Sequence, residues 1–126
     1  MRMWIEQPYK SRLCGQIAVS VITNLHLKDI IQLLGRNGTS TKKLVRVLRR
    51  LGYTCPDKLK KMPRPSLGIA KLKDPERKSG WHWVAVDGDK IFDGINGTPE
   101  GKVHWPKSWR MTSFLPITTE NVRFNE

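Results

Sequence analysis

Four residues of this 126-residue chain, Gln7, Cys14, His82 and Asp93, have the types and order that acyl-transfer chemistry uses. Cysteine reacts as its thiolate, and a free thiol titrates at about 8.5. The residues after Cys14 predict a helix, which places the sulfur at a helix N-terminus, where the backbone dipole favours an anion. Gly15 is expected to leave the adjoining backbone open to a substrate. Taken alone, Cys14 is better read as a small buried apolar residue, the common role of a single cysteine.

His82 changes that balance. It lies in Trp81–Val86, an aromatic and β-branched run that reads as a strand and leads into Asp87-Gly88, a hairpin-turn signal. A two-residue turn there sets Val86 opposite Asp89 and, counting outward, His82 opposite Asp93. Directly opposed residues have Cβ atoms about 4.5–5.5 Å apart. Moving the turn to Gly88-Asp89 makes the pair diagonal on the same face, whereas a three-residue turn flips the parity. The hairpin thus predicts an orienting carboxylate beside an imidazole base.

Gln7, seven residues before Cys14, offers a side-chain amide. Together with the Cys14 backbone N–H it could hold an oxyanion. The expected chemistry is attack by Cys14 on an amide or thioester carbonyl. His82 would protonate the leaving group and then activate water. With an amine as acceptor the same site becomes a transferase. Trp81 and Trp83 alternate with His82 and face the opposite way, as does Phe92; core packing is their expected role and a cleft wall the alternative.

These residues need elements to position them. Ile17, Ala18, Val21, Ile22 and Leu25 form one apolar stripe, predicting a buried helix that starts at Cys14. Leu27–Leu34 reads as a second helix stopped by Gly35. Thr39 or Ser40 caps a third over Thr41–Leu51, with Leu44, Val45, Leu48 and Leu51 inward and Lys42, Lys43, Arg46, Arg49 and Arg50 outward. Residues 53–65 look irregular. Strands are expected over Ser66–Leu72, Trp81–Val86 and Asp89–Asp93, with a charged loop at 73–80. Val103–Trp105 and Phe114–Thr118 are weaker strand candidates. Helices first and an antiparallel sheet after them argue an α+β fold in a single domain, residues 1–126.

Composition sets the outer limits. The net charge of +12 concentrates in residues 42–78, which hold thirteen basic and three acidic residues, while residues 79–126 hold five and six. One positive face follows, suited to an acidic protein or nucleic acid, or simply to solvation. No run approaches the ~18–20 apolar residues of a membrane span. No apolar segment follows the charged start, so a cytoplasmic location is expected, the host cytoplasm if a phage encodes the chain. Two cysteines, Cys14 and Cys55, are too few for a disulfide framework. Neither belongs to a C-x-x-C pair, and His26, His82 and His104 lack ligand spacing, so no metal and no cofactor are expected.

Taken together, Gln7, Cys14-Gly15-Gln16-Ile17-Ala18, Gly38-Thr39-Ser40, His82-Trp83-Val84-Ala85-Val86 and Asp93 resemble the papain-like cysteine peptidases. The likeness runs over about residues 7–97 and is nearest to the compact bacteriocin-processing peptidases that cut double-glycine leaders. It implies a papain-like fold of helices packed on a small antiparallel sheet. It also implies a Cys14–His82–Asp93 triad with Gln7 at the oxyanion, and a protein or peptide substrate; Asn96 is a second candidate for the orienting role. The alternative expectation is a basic binding module on an inactive shell of the same kind.

Overall fold

The computed structural model describes residues 4–8, 11–61, 63–73, 81–95, 100–102 and 110–118. Three helices come first: α1 (Cys14–Thr23), α2 (Leu27–Leu34) and α3 (Thr41–Arg50). Four strands follow: β1 (Leu67–Lys73), β2 (Trp81–Asp87), β3 (Lys90–Phe92) and β4 (Arg110–Pro116). They form one antiparallel sheet in the order β3-β2-β1-β4. The fold is α+β, as the segregation of helix and strand patterns predicted.

α1 is the central helix. Every residue from Gly15 to Ile22 is buried, so its Val- and Ile-rich sequence is apolar nearly all round. It ends at Thr23, and the expected apolar stripe does not extend to Leu25, which is 39% exposed. Asn24 stops it by taking a left-handed φ of 59° while its N–H reaches the Ser20 carbonyl. α2 spans the expected residues and halts at Gly35, where φ is 85°. For α3 the cap is Ser40, whose hydroxyl accepts from the Lys43 N–H at 3.3 Å. Leu44, Val45 and Leu48 point inward, and the five cations expected outside are exposed. α3 ends at Arg50, with Leu51 at the cap.

The sheet buries both faces. Ile69, Trp83, Ala85, Phe92 and Leu115 pack with the helices. Ala70, Leu72, Val84, Val86, Ile91 and Phe114 gather in a second cluster. The strict alternation between the two clusters follows from the period-2 pleat. Residues 54–60 of the irregular segment run beside β4, bridging Thr54 to Thr118 and Lys60 to Phe114, which covers part of an edge that would otherwise expose unpaired backbone.

Strand boundaries shift slightly from expectation. β1 runs to Lys73, and β3 is shorter than Asp89–Asp93 because the turn sits at Gly88-Asp89, not at Asp87-Gly88. Asp87 pairs with Lys90, Val86 with Ile91 and Ala85 with Phe92. Gly88 takes the first central position with φ 62°, a conformation that suits glycine far better than aspartate. The Val103–Trp105 candidate lies outside the described residues. No helix among the described residues is long and apolar enough to cross a membrane.

Candidate active site

Cys14 is the first residue of α1, and no side chain caps that terminus; nor is any acidic residue present in the first turn. The first N–H groups of a helix have no partner within it. The sulfur therefore sits beside backbone donors that no side-chain acceptor of the cap position takes up.

β2 carries His82 and is the strand packed most extensively against α1. The imidazole is buried at 3% exposure and meets a carboxylate buried at 2%. His82 Nε2 and Asp93 Oδ1 stand 2.7 Å apart. The same Oδ1 accepts the Ile95 N–H at 2.9 Å, so a backbone turn holds the carboxylate in place. With Nε2 committed to Asp93, Nδ1 is the nitrogen left to face Cys14, which lies near enough to act on the charge of the ring. Burial disfavours the imidazolium. The hydrogen bonds and charges of Asp93 and Cys14 outweigh that effect and raise His82 from 6.5 to about 9.

The expected His82–Asp93 pair thus forms, but not by direct opposition. With the turn at Gly88-Asp89, β3 ends at Phe92 and Asp93 lies diagonal to His82, reaching it from just beyond the strand. Parity survives the shift, so both side chains keep one face.

Gln7 lines the same cleft, of about 440 Å³, as Cys14 and His82. Its backbone N–H donates to the Gly94 carbonyl at 2.7 Å, and the Trp4 indole donates to the Asp93 carbonyl at 2.8 Å. The N-terminal segment is thereby fastened to the Asp93–Gly94 corner. A Cβ on Gly94 would sit 3.1 Å from the Gln7 Cβ, so the glycine permits this approach. The Gln7 amide nitrogen donates to the Ser11 carbonyl at 3.0 Å and retains a second hydrogen. Asn96, the other orienting candidate, lies outside the described residues.

Gly15 serves a different purpose from the one expected. A side chain there would collide with the Thr39 methyl and lie 3.2 Å from Trp83 Cδ1. Its absence lets the Gly38–Ser40 segment and Trp83 close on α1; it does not open a path for substrate. Trp83 is core, 2% exposed, and its indole donates to the Thr39 carbonyl at 3.2 Å. Trp81 stands at the cleft with 47% exposure, the Lys71 ammonium 5.0 Å from its ring centre.

Gln16 and Thr39 were not anticipated as site-building residues. Gln16 is fully buried, and its amide donates to the Gly35 and Asn37 carbonyls, both at 2.8 Å. It straps the loop that carries Thr39, a cleft residue 2% exposed. The available signal was a glutamine amid otherwise apolar helix positions.

Both cysteines are free. Cys55 is buried far along the chain from this site; burial pushes its thiol up, against the pull of Arg49. Among the described residues no group of three His, Cys, Asp or Glu side chains could hold a metal. No protein-family model and no curated protein matches the chain.

Proposed function

We propose that the chain is a thiol-dependent hydrolase of papain-like design that cleaves an amide or related acyl bond in a protein or peptide. The observation that carries this reading is the buried 2.7 Å His82–Asp93 pair whose imidazole also meets Cys14 at an uncapped helix start. A core that merely needed a cysteine would not require three ionisable groups, drawn from α1, β2 and the end of a hairpin, to gather at one cleft.

In the proposed cycle the Cys14 sulfur attacks the carbonyl and its proton resides on His82. The oxyanion is held by the Cys14 backbone N–H and the second Gln7 amide hydrogen. Asp93 keeps the imidazole oriented and favours its protonated form. His82 then gives the proton to the departing amine, leaving a thioester on Cys14. Water follows: His82 takes one of its protons, the hydroxyl adds to the thioester carbon, and the sulfur leaves.

The test uses a proteome-derived peptide mixture. Wild-type protein is expected to generate new peptide termini that a Cys14→Ala variant does not. Identical product spectra from the two proteins would overturn the hydrolase reading.

A further inference from the structure

A second groove lies between α3 and the segment Asp57–Leu59, about 830 Å³ in volume. It begins at Thr41, two residues past the cleft residue Thr39. Its floor is apolar, with Val45 from α3 and Leu59 from the irregular segment. Its rim is cationic, with Lys42, Arg46, Arg49 and Lys58. Asp57, the one carboxylate among the described residues that line the groove, is held by Arg49 at 2.8 Å, and the same guanidinium grips the Cys55 carbonyl at 2.8 Å. Arg49 therefore builds the wall. Lys42, Arg46 and Lys58 add three positive charges that no carboxylate lining the groove answers.

We propose that this groove is a docking site for an acidic polypeptide segment bearing an apolar anchor residue, working independently of Cys14. Charge complementarity selects the acidic ligand, and the concave apolar floor selects a polypeptide. A phosphate backbone gains nothing from an apolar hollow, and single-strand nucleic-acid grooves rely on aromatic platforms, none of which is among the described residues that line the groove. A ligand with a leucine- or methionine-sized side chain flanked by aspartates or glutamates satisfies both features at once. A merely solvating basic face would show the charges without the hollow.

The test selects random dodecapeptides, displayed on phage, against the intact protein. Enriched sequences are expected to place several acidic residues around one large apolar residue. A synthetic peptide of that consensus should bind wild type and Cys14→Ala equally in fluorescence anisotropy. Binding should weaken by about tenfold or more with Arg46→Glu/Lys58→Glu, with the milder Arg46→Gln/Lys58→Gln to a lesser degree, and when the peptide anchor becomes alanine. Matching melting curves for the variants would exclude misfolding. No acidic enrichment, or a consensus peptide indifferent to the charge reversals, overturns the proposal. So does a DNA duplex that binds and is lost in the double variant while acidic peptides do not bind.

Discussion

The buried Asp93 carboxylate and the Cys14 sulfur both push His82 toward its protonated form, against the burial of the ring. Their contributions can be separated without a substrate. In an NMR titration, the imidazole of wild type should titrate near 9. Cys14→Ala should lower that value, and Asp93→Asn should lower it further, because the Asp93 contributions are the larger. A titration midpoint unmoved in both variants would dissociate the three groups. Turnover of any cleaved peptide should fall as pH rises through about 9, where His82 loses the proton that the leaving amine requires. At this scale much was legible in the sequence: the histidine, the carboxylate and their shared face follow from hairpin parity. The register did not, since Asp-Gly and Gly-Asp dipeptides overlap in Asp87-Gly88-Asp89 and only the three-dimensional turn chooses between them.

Among the elements, the close fit of α1 to the Gly38–Ser40 segment and β2 determines where Cys14 sits. Gly15→Ala puts a methyl into Thr39 and against Trp83, so overpacking should destabilise the fold by about 1–3 kcal/mol, measured by urea unfolding. It should also slow Cys14 alkylation by shifting the helix start. An unchanged unfolding midpoint would refute the packing role assigned to that glycine. Ser40→Ala removes the α3 cap and should cost about 1 kcal/mol in the same assay. Helix limits were readable wherever a cap or a glycine marks them, as at Gly35 and Ser40. They were misread at Leu25, because an apolar residue at helical spacing continues the pattern even where Asn24 has already turned the chain. The Gln16 strap was legible only by half: a glutamine among apolar helix positions marks a polar group in need of partners, but those partners are loop carbonyls, which carry no side-chain signature.

For the molecule as a whole, the raised His82 value couples the site to stability. Its folded value, about 9, lies above the unfolded 6.5. The stabilisation is therefore complete below about 6.5 and disappears as pH rises through about 9, amounting to on the order of 3 kcal/mol. The stability difference between wild type and Asp93→Asn should be greatest near pH 6 and shrink toward pH 10. A difference that stays constant would mean the pair does not titrate as described. The concentration of charge in residues 42–78 was visible in the sequence. The groove was not, because it needs Leu59 and Lys58 from an irregular segment to fold back beside α3.

The central claim is that Cys14 is a nucleophile activated by His82. Its most direct test is the rate of Cys14 carboxamidomethylation by iodoacetamide near neutral pH, mapped by mass spectrometry and compared with free glutathione. Cys14 should react about tenfold or more faster than glutathione, lose that advantage in His82→Ala, and leave the buried Cys55 largely unmodified. A Cys14 that reacts no faster than glutathione, or equally fast without His82, would contradict the account.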